Sequence, residues 1–168
     1  MTTTALLIQL VATFAIGTTI LYMALSILKN RLMKKYSIAL DNTSFALLCG
    51  SVLFSIAYLF AGINQPLIST LKIIQQSSQS SLMTETAKYT GLFLFIVAVA
   101  ALSVISASFF IYSSIMKGNK SMDEVKNNNT AVSILTAVII ISLSIMVKEN
   151  LVSFLESFIP YPTTPVVF

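Results

Sequence analysis

Charged and polar residues in this chain collect between four long stretches that hold no charge at all, residues 5–28, 43–71, 89–116 and 127–147. A helix that crosses the roughly 30 Å hydrocarbon layer of a bilayer needs about 20 residues at about 1.5 Å of rise each. All four stretches reach or approach that length. The pattern predicts an all-α membrane protein with four transmembrane helices, at about 5–28, 44–63, 89–116 and 130–147. Two shorter segments follow spans two and four. The segment 65–75 lies within NQPLISTLKII, and 149–159 lies within KENLVSFLESFIPYP. In the second, Leu151, Phe154, Leu155 and Phe158 recur at 3–4 residue spacing while Glu149, Asn150 and Glu156 stand off that stripe. Both read as short amphipathic helices at the membrane interface. Pro160 and Pro162 stop the second, and 163–168 reads as an extended tail.

The hydrophobic pattern also repeats. Shifted by 87 residues, Asn42 falls on Asn129, Thr43 on Thr130, Leu48 on Leu135, Ser55 on Ser142 and Ser26 on Ser113. The unit is a span, a basic segment, Asn-Thr and a second span, used twice in the same orientation. The expectation is two parallel-repeat helical hairpins rather than the inverted repeats of many transporters. The first is drawn as 1–75 and the second as 89–162. Between them 76–88, around QQSSQSSLMTET, reads as a polar linker.

Composition agrees with the pattern. Only 10% of the 168 residues are charged, against about 25% in soluble domains, and the mean hydropathy is +0.88. The charges present set an orientation. Lys29, Arg31, Lys34 and Lys35 fall in the segment 29–42, and Lys117, Lys120 and Lys126 in 117–129. The opposite side holds Lys72, Lys88 and Lys148. Lys and Arg favour the cytoplasmic side, so both basic segments are expected in the cytoplasm, meeting anionic lipid or a soluble partner. Both termini are then expected in the periplasm. The basic cluster follows the first apolar run instead of preceding it, which suits a retained helix rather than a signal peptide. The pI of about 9.3 is accounted for by topology, and no nucleic-acid face is expected.

The polar residues at the starts of spans two and four are unusual, DNTS at 41–44 and KNNNT at 126–130. Asn, Ser, Thr and Asp are the favoured helix N-caps, and an orphan backbone N–H is costly at the edge of a membrane. Asn42, Thr43, Asn128, Asn129 and Thr130 are therefore candidate caps. Two other readings stand beside that one: an anionic lipid headgroup held at the two positive helix ends, and a polar ring lining a pore. KNNNTAVS, echoed by DNTSFALL, resembles the repeated Asn-Thr-Ala signature of the YjfL family, grouped as domain of unknown function 350. Ser44 and Phe45 stand in the first copy where the second has Ala131 and Val132. The resemblance covers nearly the whole chain. It implies four spans, a bacterial inner-membrane location and a link to envelope stress, but no reaction.

Catalytic chemistry is hard to find. Cys49 is the only cysteine and there is no histidine, so neither a thiolate cluster nor the usual neutral-pH base is available. Asp41, Asp123, Glu124, Glu149 and Glu156 lie at span ends or in connections. Asp123 and Glu124, being adjacent, suit the first turn of a helix better than a catalytic pair. No phosphate-binding glycine loop occurs. An enzyme is not expected, and neither is a cofactor or a metal site. The spans offer instead small residues four apart, Ala46 with Gly50, Ser103 with Ala107, and Ser133 with Ala137, which let helices approach closely. They suit intrachain packing or a homo-oligomer. The functional expectation is a structural or interaction protein of the membrane, acting with itself or with envelope-stress partners. The alternative is the pore-forming subunit of a small ion channel, with Ser103, Ser106 and Ser113 on one stripe of span three that Phe110 interrupts.

Overall fold

The computed structural model describes residues 3–38, 41–76, 82–115 and 121–159, and every regular element among them is helical. Helix α1 (Thr3–Ile27) runs through a π-helical stretch, Leu28–Met33, into the single turn α2 (Lys34–Tyr36). Then come α3 (Thr43–Ala61), α4 (Asn64–Gln76), α5 (Leu82–Ile115), α6 (Ser121–Lys126) and α7 (Thr130–Glu156). Thr43–Ile74, Thr84–Ile115 and Thr130–Glu156 are each long and apolar enough to cross a bilayer, and Phe14–Asn30 forms a shorter apolar helix. The chain is an all-α, multi-pass membrane protein.

Several boundaries differ from the sequence expectation, each for a physical reason. The basic stretch after α1 is helical as far as Tyr36, where Ser37 turns the chain with a φ of 51°. Charge alone does not end a helix. The polar linker is shorter than expected, because α5 already begins at Leu82 and an ion pair between Lys88 and Glu85, 2.9 Å, spans one of its turns. Residues 77–81, Lys117, Lys120 and the tail 163–168 lie outside the described residues. The expected interfacial helix at 149–159 is not separate: α7 continues without a break to Glu156. Its 27 residues reach about 40 Å at 1.5 Å per residue, so the last turns extend past a hydrocarbon layer of about 30 Å. Of the stripe named above, Leu151 and Leu155 are buried, while Phe154 and Phe158 are exposed and meet edge to face. Helix α4 does follow α3 as a distinct amphipathic piece, after a turn at Gly62 and Ile63. It buries Pro66, Thr70 and Ile74 and exposes Asn64, Gln65 and Lys72. Pro66 sits in its first turn, where no intrahelical N–H is lost.

Helices α3 and α7 form the most extensive pair, and α5 packs on both. Two apolar clusters lie at opposite ends of α3. One joins Leu59 and Ile63 to Phe93, Val97, Leu151 and Leu155. The other joins Phe45, Leu48 and Cys49 to Ile38 and Val125. Along α3 and α7 the buried face also carries hydroxyls, Ser44, Ser51 and Ser55 on one helix and Ser133, Thr136 and Ser144 on the other. Ser51, Thr136 and Ser144 each donate to a carbonyl one turn back in their own helix. Helix α1 is more peripheral, with Phe14 and Tyr22 both over 70% exposed. In a bilayer such a surface meets acyl chains rather than water.

At the α3–α4 turn Gly62 packs tightly against α7. A Cβ on Gly62 would lie 3.1 Å from the Leu59 carbonyl oxygen and 3.1 Å from Val152 Cγ2 on α7. Beside it the Lys148 ammonium stands 4.5 Å from the centre of the Tyr58 ring. Gly62 is thus needed for space, its φ of −64° being open to any residue. Gly62→Leu is expected to destabilise the protein by about 1–3 kcal/mol through overpacking, seen as an earlier denaturant midpoint in detergent micelles. An unchanged midpoint would mean that α7 moves aside freely.

Candidate functional site: crossed asparagines at the helix starts

Three consecutive asparagines, Asn127, Asn128 and Asn129, connect α6 to α7, and the last two have different tasks. Helix α6 closes with a pair of bonds, Asn128 N–H to the Val125 carbonyl at 3.0 Å and Asn129 N–H to the Glu124 carbonyl at 3.0 Å. This is the Schellman arrangement, which requires a left-handed residue just past the helix. Asn128 is that residue, with a φ of 58°, a conformation asparagine tolerates better than most. The chain reversal aims the Asn128 side chain away from its own helix, towards the start of α3.

There it completes a cap. Asn128 Oδ1 accepts from the Ser44 N–H at 3.1 Å and from the Thr43 hydroxyl at 3.2 Å. The native N-cap of α3, Asn42, takes the next donor: its Oδ1 accepts from the Phe45 N–H at 2.8 Å. Two of the orphan N–H groups of α3 are therefore satisfied, one by its own cap and one by a residue more than 80 positions away. The connection is reciprocal. Asn42 Nδ2 donates to the Val125 carbonyl at 2.8 Å and to the Lys126 carbonyl at 3.3 Å, which serves the C-terminal carbonyls of α6. Asn42 is only 7% exposed, with Val125 fully buried beneath it. The two asparagines cross and fasten the half of the chain around α3 to the half around α7.

The second half is not capped in the same way. Asn129 occupies the N-cap position of α7, but its side chain makes no capping bond. Its Nδ2 instead donates to the Glu124 carboxylate at 3.0 Å. The five candidate cap residues thus separate: Asn42 and Asn128 form the crossed pair, Thr43 adds a hydroxyl to it, and Asn129 and Thr130 only begin α7. For an anionic headgroup the consequence is local. The Ser44 and Phe45 N–H groups of α3 already bond within the protein, whereas the start of α7 carries no side-chain cap.

The same bonds place both basic segments at one end of the bundle. Lys29, Lys34 and Lys126 are exposed there, and α2 packs against α6. Arg31 and Lys35 lie on the helical continuation of α1. The small-residue pairs separate as well. Ser133 is fully buried and Ala137 half-buried, in the α3–α7 contact. Ala46, Gly50, Ser103 and Ala107 face outwards, and a Cβ on Gly50 would meet nothing within 4 Å. Ser103 bonds the Val99 carbonyl of its own helix. Close packing inside the chain falls to Gly62 instead, which spacing four residues apart does not reveal. Among the described residues no group of three or more acidic, histidine or cysteine side chains could hold a metal ion.

Asn42→Ala is expected to cost about 1–3 kcal/mol, combining a lost cap with unpaired carbonyls, whereas Asn129→Ala should cost less than about 1 kcal/mol. Asn128→Gly keeps the left-handed turn and loses the acceptor. Asn128→Ala loses both, and should be worse than Gly by about 1 kcal/mol. Denaturant unfolding in micelles gives the order, and equal losses at Asn42 and Asn129 would contradict the asymmetry described here.

Residues 1–151 match the profile of a family described as Domain of Unknown Function, DUF350. No curated protein and no solved structure matches the chain. The match takes in α1 to α6, the crossed asparagines and all but the end of α7, and the chain belongs to the DUF350 family.

Proposed function

We propose that the chain is a non-enzymatic structural or interaction protein of the bacterial inner membrane that works as an assembly of copies of itself. In this reading α1 is a fourth span, and the two hairpins are a parallel duplication. The basic ends of the hairpins face the cytoplasm and both termini face the periplasm. The YjfL-like signature at KNNNTAVS supports the inner-membrane assignment and a role beside envelope-stress partners, and the lysines at one end support the orientation. The observation that carries the assembly is the outward position of Gly50 and Ala46 on α3, open to close approach by another helix. In lipid, helices gain little from burying apolar side chains against each other. Small residues that allow backbone contact are therefore the usual association surface.

A specific observation favours a second reading. Ser103 and Ser106 are both exposed on α5 in the middle of an apolar span, where several copies around an axis would turn hydroxyls to a shared pore. Phe110, 73% exposed on the same stripe, would narrow it. Ion flux through purified protein in anionic liposomes separates the two readings. Selective flux that Ser103→Leu and Ser106→Leu abolish makes the protein a channel subunit, and silence from inserted protein leaves the scaffold.

For the assembly itself, a Cys49→Ala background with cysteine placed at Gly50 should crosslink between copies in native membranes, while cysteine at Val138, exposed on α7, should not. Gly50→Leu is expected to weaken association about tenfold, equivalent to about 1.4 kcal/mol. Monomer alone at position 50 would remove the proposed surface.

A further inference from the structure

Helices α3 and α7 run parallel, since both start beside the crossed asparagines and meet again deeper in the bundle. The deeper meeting is a hydrogen bond between Ser55 Oγ and Ser144 Oγ, 2.6 Å. Its proton can be assigned. Ser144 donates to the Ile140 carbonyl at 2.7 Å, so Ser55 is the donor in the pair. The two serines are 89 positions apart (144 − 55). The same difference separates Ser133 from Ser44 (133 − 44). On each helix the second serine lies eleven residues before the first, which is three turns at about 3.67 residues per turn. The register that brings Ser55 to Ser144 sets Ser44 and Ser133 at matching heights on the two buried faces, three turns nearer the helix starts.

The two pairs are chemically different. Ser55 and Ser144 satisfy each other, whereas Ser44 and Ser133 are both fully buried and neither Oγ has a hydrogen-bond partner. Buried hydroxyls in native proteins almost always have one, and ordered water supplies it where protein groups do not. What this place can hold follows from its surroundings. Ser44 is the second residue of α3 and Ser133 the fourth of α7, so the partial positive charge of two helix starts falls on it. A cation is disfavoured there, and an electron-rich oxygen is favoured. The neighbouring Thr136 has given its proton to the Val132 carbonyl, which leaves its oxygen able to accept.

We propose that Ser44 and Ser133 form a binding site for a single internal water molecule, which takes a hydrogen bond from each hydroxyl and bridges α3 to α7 beneath the crossed asparagines. The pair of helices is then joined wet at its start and dry at its middle. This site does not depend on the assembly proposed above.

A double-mutant cycle and a high-resolution structure test it. Ser44→Ala and Ser133→Ala should each lower the melting temperature in micelles by about 2–4 °C, and the double variant by no more than either one, because both break the same bridge. Losses that add would mean that the hydroxyls act separately, and would overturn the site. The structure of the unaltered protein, which needs no variant to fold, should show one density peak within hydrogen-bond distance of both Oγ atoms. Direct Oγ–Oγ contact, or an empty gap, would overturn it as well. A peak that bromide replaces, with an anomalous signal, would make the ligand a halide and not water.

Discussion

The rest of the fold depends on the exchange of hydrogen bonds between Asn42 and Asn128. A membrane helix has every internal backbone group paired except at its ends, and at its ends the pairing must come from somewhere else. Here α3 obtains half of what it needs from a loop that belongs to the other half of the chain, and α6 obtains carbonyl partners from the cap of α3. Neither end is complete alone. The arrangement fixes which helix starts lie together, and so the parallel course of α3 and α7, before any side chain in the membrane interior is considered.

The interior then follows a graded plan along that pair. Next to the crossed asparagines, Phe45, Leu48 and Val125 form an apolar cluster. In the middle, hydroxyls on both helices bond backward into their own turns or to each other. At the far end Leu59, Leu151 and Leu155 close the bundle with Phe93 and Val97 of α5. Between apolar helices in lipid, apolar burial gives little preference for one partner or register over another. A directional bond such as that of Ser55 with Ser144 does set register, because a slip of one residue on either helix turns its hydroxyl by about 100°. Gly62 performs the matching task at the far end through shape, since even a Cβ there would press to 3.1 Å from Val152 Cγ2.

Much of this was legible in the sequence, and the limits are instructive. Uncharged runs located the long helices, and the asparagines stood beside the starts of α3 and α7. Those signals are local: a cap and an apolar run need only their neighbours to be recognised. The division of labour between Asn128 and Asn129 was not legible, since it depends on a Schellman turn at the end of a six-residue helix. Polarity misled at 82–88 and along the basic stretch to Tyr36, because a helix that leaves the membrane can go on in water with charged side chains. Of the stripe around Leu151, only Leu151 and Leu155 face the protein core as part of α7, while Phe154 and Phe158 stay exposed.

The echo between DNTS and NNNT in the sequence shows how two similar segments can serve different ends. A shift of 87 aligns the caps, Asn42 with Asn129 and Thr43 with Thr130. The buried faces align better at 88, where Ser44, Phe45, Leu48 and Val52 fall on Val132, Ser133, Thr136 and Ile140, all buried. Ser142, the sequence partner of Ser55, is exposed, and Ser144 takes its place. One residue is about 100° of helix rotation, so α7 presents a different face relative to its cap than α3 does. The helix starts differ as well. Asn42 turns inwards to hold α6, whereas Asn129 turns to Glu124 and leaves the start of α7 uncapped. The unlike caps at the helix starts and the unlike faces deeper along α3 and α7 occur together in one pair of helices.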